Sequence, residues 1–418
     1  MFTTATVIGM TRAMQPPVPL ESSLASAVGV GRDASGPEID RFLAATLRQE
    51  DVAWPTQWGL DSAKTAVVRR IGYHGISGLL NDRARVLPEW PGEVLAQIRD
   101  RSVGHAMWET RHRIILARLV GAFARAEVRC LFLKGTGLAY DLYQNPATRV
   151  RGDSDLLVDR GQLEQARGLL TDLGFFVDPN VSGLSDDIHL QEIWQFAHPD
   201  GSRHDIDLHW QVMNSFALSN VIEVEACFAN AIALPRLASN ALTLDHVSML
   251  VHTAMHKATH IVSPYFSDGQ AYYGGDRLIW CHDIHLLAQA FSQDDWAHLV
   301  TVATKSGVAE VCLSALAFAR DRLDTPIPVE VLTALHSASP ADRQSHFLLR
   351  YGQLNRAWRD VRALAGWHRK SAYVLSRLMP PQAFMRAKYP ELASHALVVL
   401  YLRRAVELLR TRPGRERH

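Results

Sequence analysis

The spacing of hydrophobic residues divides the chain into a helical part, a β-rich part and a second helical part. From about residue 37 to 126, segments such as "EIDRFLAATLRQ" and "WETRHRIILARLVGAFARAEV" place apolar residues three and four positions apart, which predicts helices. The sequence "LPEWPGEV" adds a helix start at Pro91. Near residue 128 the pattern changes to the short apolar runs "VRCLFL" and "SDLLVD", which predict strands. From about residue 221 onward the helical spacing returns.

The β-rich part combines strands with one further helix. The segment "QLEQARGLLTDLG" predicts an amphipathic helix that ends at Gly174, and "FFV" predicts the start of another strand. In "IWQFAHPDGSRHDIDLHWQV", two alternating segments flank Pro199-Asp200-Gly201, which predicts a β-hairpin. Further on, "VSPYFSDGQAYYGGD" predicts a loop. The fold class expected from these patterns is α+β, a small mixed sheet flanked by N-terminal and C-terminal helical regions.

These patterns also suggest a division of the chain into four regions. Residues 1–36 are rich in Ala, Ser, Thr, Gly and Pro without periodicity, so we expect disorder there. The regions that follow are an N-terminal helical region, 37–126, a core sheet, 127–220, and a C-terminal helical region, 221–418.

Composition narrows the classes of partner. Hydrophobic residues make up 47% of the 418 positions and charged residues 21%, as in globular proteins that fold in water. A net charge of +1, from 44 basic and 43 acidic residues, argues against a molecule-wide field for nucleic acid or membrane. A local basic patch stays open, but no aromatic-basic stripe favours nucleic acid as a partner.

The compartment expected from the sequence is the cytoplasm. No apolar run reaches the roughly 18 residues that span a bilayer, so no membrane partner is expected. The four cysteines lie far apart and show no zinc-finger spacing, which suits a reducing compartment.

Two D-x-D pairs carry the candidate chemistry. Asp153 and Asp155 precede a Leu-Leu-Val strand, and residues two apart in a strand share a face, so their carboxylates are expected side by side. In "RHDIDLHW", Asp205, Asp207 and His209 share a face in the same way. Neighbouring carboxylates repel each other unless a cation lies between them, and Mg²⁺, with Mn²⁺ as a substitute, prefers such oxygen ligands. The sequence therefore predicts a divalent metal held by carboxylates of neighbouring strands.

The turn Lys134-Gly135-Thr136 would complement such a metal. It follows a predicted strand and precedes the helical segment "GLAYDLY", so its backbone N–H groups can hold a phosphate, and Lys134 adds positive charge. Each motif alone has an ordinary explanation, because a single D-x-D is common at turns and exposed strand ends. Their conjunction within one β-rich segment favours a metal-phosphate site.

The motifs of the chain resemble those of a known family. The motifs "LKGTGLAYDLY", "RVRGDSDLLV" and "IDLHW" occur in the order typical of the nucleotidyltransferase superfamily related to DNA polymerase beta. The chain is most similar to the bacterial family of uncharacterised nucleotidyltransferases, which "LVHTAMH", "RLIWCHDIHLL" and "PPQAFMRAKYP" also resemble. The resemblance covers most of the chain from about residue 40.

The resemblance implies roles for the carboxylates and for the turn. Asp153 and Asp155 would bind the metal, and Asp207 would be the third catalytic carboxylate, with Asp205 as its competitor for that role. Gly135 and Thr136 would stand where the superfamily's Gly-Ser turn holds the triphosphate. Threonine replaces serine here, and the gap from the turn to Asp153 is longer than in many members, so the loop "YQNPATRVRG" must close over the site.

Further basic groups are candidates for contacts with the nucleotide. Arg149 and Arg151 lie close to the D-x-D pair, where solvated loop charges and phosphate ligands are equally open readings. His252, His256 and His260 follow one another at four-residue steps on a predicted helix. Hydrogen-bonded core histidines are the common case and zinc a rare one, while the resemblance places His252 or His256 beside the nucleotide phosphates.

One helical Arg–Asp pair has an ordinary structural explanation. Arg277 and Asp283 lie at helical spacing, and an ion pair that braces the helix is expected.

The function that the resemblance implies is nucleotidyl transfer. The enzyme would move an NMP group from an NTP such as ATP to the hydroxyl of an unknown acceptor, a small molecule, peptide or protein, with Mg²⁺ as cofactor and release of pyrophosphate. Two alternatives stay open. One is transfer of another phosphate-linked group to a peptide or sugar in a biosynthetic pathway, and the other is a non-catalytic protein that binds nucleotide or a partner.

Overall fold

The computed structural model describes residues 35–410, apart from residues 51, 60, 84–86, 88, 178–185, 264, 268–269, 273 and 393. Residues 1–34, almost all of the segment for which disorder was predicted, lie outside the described residues. Helices, then mostly strands, then helices again follow one another along the chain, and the predicted α+β class is confirmed.

The first helical part consists of four helices, α1 (Gly36–Leu47), α2 (Asp61–His74), α3 (Ser77–Arg83) and α4 (Gly92–Arg125). Helix α4 begins directly after Pro91, as predicted, because a proline at this position gives up no helical hydrogen bond. Its 34 residues make a helix about 51 Å long at 1.5 Å per residue.

A seven-stranded mixed sheet follows. Its strands are β1 (Cys130–Leu133), β2 (Asp153–Val158), β3 (Phe176–Val177), β4 (Gln191–Ala197), β5 (Arg203–His209), β6 (Ile232–Ala233) and β7 (Leu242–Thr243), in the spatial order β3-β4-β5-β2-β1-β7-β6. Three short helices connect them, α5 (Lys134–Asp141), α6 (Leu163–Asp172) and α7 (Val224–Ala229). Strand β2 lies at the centre, antiparallel to β1 and parallel to β5.

The alternation of side chains along β2 gives the sheet two different faces. Ser154, Leu156 and Val158 point towards α4 and α6, where Leu156 and Val158 join an apolar cluster that also contains Leu119 and Leu170. Asp153, Asp155 and Leu157 belong to the opposite face, which meets the larger core of the molecule. Because successive residues of a strand point to opposite sides, the two carboxylates and the buried leucines can share one strand.

The predicted hairpin is confirmed, and a second one was missed. Strands β4 and β5 pair antiparallel around Gly201, whose φ of +87° favours glycine. The segment predicted as a loop instead contains two short paired strands, β8 (Tyr265–Ser267) and β9 (Gln270–Tyr272). Their three-residue length falls below what an alternating pattern can reveal.

Helices build the rest of the described chain. They are α8 (His246–Thr259), α9 (Leu278–Ala290), α10 (Gln293–Lys305), α11 (Ala309–Leu323), α12 (Val329–Ala338), α13 (Arg343–Arg350), α14 (Gln353–Ala363), α15 (Trp367–Leu378), α16 (Gln382–Lys388) and α17 (Leu397–Arg410). In the part of the chain that the structure describes, none of the helices is both long and apolar enough to cross a membrane.

Helices α14 and α15 dock near the carboxyl end of β5. Tyr373 and Leu364 pack with Ile188 in a small buried cluster. Asp360 fastens the same contact, since its Oδ1 accepts hydrogen bonds from Ser215 Oγ at 2.6 Å and from Ala217 N at 3.0 Å. The C-terminal helices thus reach the side of the sheet that bears the carboxylates.

Candidate active site

The register of two parallel strands brings the four predicted carboxylates together. In the pairing of β2 with β5, Asp153 lies opposite Asp205 and Asp155 opposite Asp207. Residues that are paired in this way project from the same face of the sheet. The two D-x-D motifs, fifty residues apart in sequence, therefore form one block of four carboxylates.

Asp155 is the most strongly held member of the block. Lys134 Nζ donates a hydrogen bond to its Oδ1 at 2.6 Å, and His209 Nε2 lies 3.0 Å from the same oxygen. Lys134 reaches it from the first residue of α5, where it adopts a φ of +47°, an uncommon value for a residue other than glycine. The backbone at this turn therefore carries local strain while it directs the ammonium group at Asp155.

The electrostatics of the block differ from one carboxylate to the next. Burial alone would raise the pKa of Asp155, but the charge of Lys134 and the hydrogen bond from His209 outweigh it and hold this pKa below its ordinary value. Burial and repulsion by the neighbouring carboxylates raise the pKa of Asp153 and, further, of Asp207. Asp153 is still accessible to solvent, because its side chain lies on the wall of a cavity. Lys134 pairs with Asp155 and Arg203 pairs with Asp205 at 2.6 Å, which leaves Asp153 and Asp207 without an ion-pair partner among the described residues.

A divalent cation fits this donor set. Within the described ranges, Asp155, Asp207 and His209 can each offer one ligand atom, and these atoms all lie within 4.8 Å of one another. Carboxylate oxygens are the ligands that Mg²⁺ and Mn²⁺ prefer, and the raised pKa values of Asp153 and Asp207 mark the charge that a cation would neutralise. His209 has its Nε2 on Asp155, so it orients that carboxylate.

The carboxylates open into a cavity of about 500 Å³. Its wall includes the turn at the start of α5, the ends of β2 and β5, and residues of α8, α9, α14 and α15. Those that matter below are Lys134, Gly135, Arg149, Arg151, Asp153, Asp155, Asp205, Asp207, His252, His256, His260, Tyr265, Arg277, Trp280, Asp283, Arg356, Asp360, Tyr373 and Arg377. A volume of this size accommodates a nucleotide-sized ligand.

The three residues of the turn face different ways. Lys134 and Gly135 lie on the cavity wall. Thr136 is 1% exposed, and its Oγ1 lies 2.6 Å from Ser154 Oγ and accepts a hydrogen bond from Arg151 Nε at 2.9 Å. The Thr136 hydroxyl therefore belongs to a buried network on the other side of β2, while the backbone of the turn borders the cavity.

Both arginines that precede the D-x-D pair already have partners. Arg149 binds Asp283 with two hydrogen bonds of 2.8 and 2.7 Å, and Arg151 binds Glu109 at 2.8 Å. The expected pair of Arg277 with Asp283 is therefore wrong, because Asp283 takes its cation from the loop before β2 instead of from its own helix. Arg149 and Arg151 keep their place on the cavity wall despite these pairs.

His252 and His256 of α8, and His260 directly after its end, also line the cavity. Burial, followed by the charge of Lys134, lowers the pKa of His252 to about 3 and that of His256 well below its ordinary value. Both rings are therefore neutral near pH 7 and can donate an N–H without adding charge. His256 packs against the Trp280 and His260 rings, with centroids 5.0 and 4.8 Å away.

Sequence reasoning missed the partners that hold these groups in place. Glu109, Ser154 and His112 form the buried network around Thr136 and Arg151, and Asp283 anchors Arg149 from 134 positions further along the chain. No local spacing signals such pairs. The contributions of α14 and α15 to the cavity wall escaped notice for the same reason.

Carboxylates that meet across parallel strands, next to a turn bearing a lysine, define an enzyme of the kind that transfers phosphorus-containing groups. Comparison with known families narrows this class. The family model described as uncharacterised nucleotidyltransferase matches residues 62–324, well over half of the chain, so the protein belongs to that family and the predicted resemblance is confirmed. A search of curated proteins finds no match to this chain.

The matched region contains all seven strands of the sheet and the four carboxylates. Helices α12 to α17 lie beyond its end, although α14 and α15 border the same cavity. Nucleotidyl transfer is therefore the general activity of the protein.

Proposed function

We propose that the protein transfers an NMP group from an NTP, such as ATP, to a hydroxyl of an acceptor and releases pyrophosphate. In this reaction the acceptor oxygen forms a bond to the α-phosphorus, the bond from that phosphorus to the pyrophosphate oxygen breaks, and the hydroxyl proton leaves. The observation that carries the proposal is the parallel register that sets Asp153 and Asp155 level with Asp205 and Asp207.

Asp153, Asp155 and Asp207 would hold Mg²⁺, or Mn²⁺ in its place, with Asp205 beside them. When bound, the metal would stabilise negative charge on the phosphoryl oxygens and lower the pKa of the attacking hydroxyl. Asp155 suits the role of a permanent anion, because Lys134 and His209 keep it ionised. Asp207, whose pKa is raised by burial and by Asp153 and Asp155, suits the carboxylate that receives the proton of the acceptor hydroxyl.

The turn at the start of α5 would bind the phosphate chain. Gly135 has no side chain, and a Cβ there would lie 3.3 Å from Arg151 Cδ, so the glycine keeps this border of the cavity open. Lys134 supplies charge, and the first N–H groups of α5 supply donors. His252 and His256 would donate neutral N–H groups from the opposite wall.

The retained acidic set argues against a protein that only binds nucleotide. Neighbouring carboxylates that repel one another cost stability, and such groups with raised pKa values cluster at functional sites. Transfer of another phosphate-linked group, for example to a peptide or a sugar, would use the same metal and the same turn, and it becomes an outcome of the following test.

The test compares Asp153→Ala and Asp155→Ala with the wild type in Mg²⁺-dependent turnover of labelled NTP, with cell extract as the source of acceptors. We expect both variants to lose turnover at least about hundredfold, since each removes a proposed metal ligand. The melting temperature of Asp153→Ala should stay close to that of the wild type, whereas that of Asp155→Ala should fall because Lys134 loses its buried partner. Asp172→Asn, which alters an exposed carboxylate of α6, is the matched control and should leave turnover unchanged.

Two results would contradict the proposal. Wild-type turnover in both alanine variants would place the chemistry elsewhere. NTP binding that is measured by calorimetry and does not weaken in EDTA would instead favour the non-catalytic protein. A labelled acceptor that carries a group other than NMP would select the alternative transfer reaction.

A further inference from the structure

Arg277 occupies an unusual position on the cavity wall. It directly precedes α9 and is only 5% exposed, yet it borders the cavity. Its guanidinium packs against aromatic rings, with Cζ 3.7 Å from the ring centroid of Tyr265 and 5.1 Å from that of Trp280. Packing of this kind fixes the orientation of the cation.

The charge of Arg277 has no carboxylate partner among the described residues. Its Nε donates a hydrogen bond to the backbone oxygen of Tyr73 at 2.5 Å, and no described carboxylate oxygen lies within 4.0 Å of the guanidinium. In the same cavity, Lys134, Arg149 and Arg151 each bind an acidic side chain.

Arg356 provides a useful contrast. It too has no described carboxylate within 4.0 Å, but its guanidinium donates to the backbone oxygens of Leu348, Tyr351 and Thr259. Its nitrogens are therefore used to fasten α14 to its neighbours. Arg277, by comparison, uses one nitrogen in this way, and its two terminal nitrogens make no hydrogen bond to the described residues.

The surrounding backbone is shaped to admit this guanidinium. Gly75 has a φ of +69°, and a Cβ at that position would lie 2.7 Å from Arg277 Nη2. Burial lowers the pKa of Arg277 and the charge of Arg149 adds to that effect, while Tyr265, Tyr73 and Asp283 oppose it without outweighing it. A buried cation next to another cation is costly without a counter-ion, and none of the described carboxylates is in contact with Arg277, so the arrangement favours binding of an added anion.

We infer that Arg277 is the anion-binding group of a second subsite in the cavity, which takes a phosphate-type oxyanion. Arg149 lies beside the turn, with its guanidinium Cζ 3.7 Å from the position of a Cβ on Gly135, and its charge also acts on Arg277. The β- and γ-phosphates of an NTP are the expected source of the oxyanion, and a phosphate on the acceptor is the other. The identity of the ligand rests on the proposed function, whereas the subsite itself does not.

The experiment measures binding to the full chain of inorganic tripolyphosphate, of NTP and of NMP. Tripolyphosphate is titrated in EDTA against chloride of equal ionic strength, and the nucleotides are titrated with Mg²⁺. We expect Arg277→Gln to weaken tripolyphosphate and NTP about ten- to hundredfold, as the loss of a charge-assisted hydrogen-bonded contact does. NMP, which lacks the outer phosphates, should bind with unchanged affinity.

Matched variants separate a lost ligand contact from a damaged fold. Arg320→Gln removes one exposed positive charge from α11 and should bind every ligand like the wild type. Arg277→Lys retains the charge without the fork of donors, so it should recover part of the affinity. Melting temperatures of all variants report whether the loss of the bond to Tyr73 unfolds the region.

Two outcomes overturn the inference. One is wild-type protein that shows no saturable binding of tripolyphosphate above the chloride control, a result that needs no variant to fold. The other is equal affinity for tripolyphosphate in Arg277→Gln and the wild type. Weaker tripolyphosphate with unchanged NTP supports the subsite and assigns it to the acceptor's phosphate. If no NTP turnover is found in any form but tripolyphosphate binding depends on Arg277, the proposed function fails and the subsite stands.

Discussion

Thr136 is the residue whose side chain and backbone have separate surroundings. Its hydroxyl contacts Ser154 and Arg151 under the sheet, while the N-terminal turn of α5 to which it belongs borders the cavity. The contribution of this position to a phosphate site would then come from the main chain. Superfamily resemblance, which compares side-chain types, does not separate these two contributions.

Replacing Thr136 by Val tests this separation. The change keeps the shape of the side chain but leaves buried donors of Arg151 and Ser154 without their partner, so we expect the free energy of unfolding to fall by about 1–3 kcal/mol. Affinity for NTP should change less than about threefold, which corresponds to under 1 kcal/mol.

Thr136→Ser retains the hydroxyl and is the control for stability. Urea denaturation and calorimetry provide the two measurements. A Val variant with normal stability and much weaker NTP binding would show that the hydroxyl itself holds phosphate.

The local sequence predicted the positions of some site residues but not those of others. Asp153 and Asp155 could be placed on one face because alternation along a strand is a local property. The ion pair of Lys134 with Asp155 could not be predicted from local sequence, because it depends on a backbone φ of +47° at the start of α5. The residues most distant in sequence, such as Arg277, lacked any local pattern that distinguished a ligand from a helix brace.

At the scale of elements, one ion pair joins the loop before β2 to α9. Arg149 and Asp283 are both buried, and Tyr143 adds a hydrogen bond to Asp283 at 2.7 Å. Through this pair, a helix of the C-terminal part holds the loop before β2, which borders the cavity. The position of the loop therefore depends on a contact that spans 134 residues of sequence.

Asp283→Asn should disrupt this connection. The change leaves the Arg149 guanidinium buried with a neutral partner, so we expect the free energy of unfolding to fall by about 3–5 kcal/mol, as when one partner of a buried ion pair is lost. The double variant Arg149→Met with Asp283→Leu removes both charges and should regain much of that stability. Urea denaturation gives the values, and a loss below about 1 kcal/mol in the single variant would contradict the role of the pair.

Elements with a clear periodicity were predictable and the shortest ones were not. The long apolar spacing of α4 and the alternation around Gly201 identified a helix and a hairpin because many residues repeat the same pattern. Strands β8 and β9 have three residues each and are held by the fold around them. The parallel pairing of β2 with β5 follows from tertiary packing, which sequence alternation leaves undetermined.

At the scale of the whole molecule, many histidines are buried in neutral form. Burial, followed by the charge of Arg151, holds the pKa of His112 well below its ordinary value of 6.5, and burial lowers that of His282 to about 3. Other buried or half-buried histidines with lowered pKa values are His105, His189, His204, His252 and His256. The unfolded chain binds protons at these sites at a higher pH than the folded chain does.

Stability should therefore fall as the pH drops below 6.5. As the pH falls from 6.5 towards 4, these histidines bind protons in the unfolded state but not in the folded state, so the free energy of unfolding decreases. Asp153 and Asp207 act in the opposite direction, since their raised pKa values favour the folded state as they become protonated, but the histidines outnumber them.

Calorimetry at pH 8.0, 7.0, 6.0 and 5.0, in two buffers with different ionisation enthalpies, measures both the melting temperature and the proton uptake. We expect little change between pH 8.0 and 7.0 and a clear decline below 6.5, with protons taken up on unfolding. A melting temperature that stays level or rises down to pH 5.0 would contradict this expectation.

Because α14 and α15 form part of the cavity wall, they matter for the choice of fragments and for the comparison of this protein with its relatives. A fragment trimmed to residues 62–324 would keep every acidic side chain of the sheet. It would lack the part of the cavity wall that Asp360, Tyr373 and Arg377 form. The family match over residues 62–324 therefore includes the strands and carboxylates of the sheet but leaves out the part of the cavity wall that α14 and α15 provide. Relatives with a different sequence after α11 would have the same group of carboxylates in a cavity of a different shape.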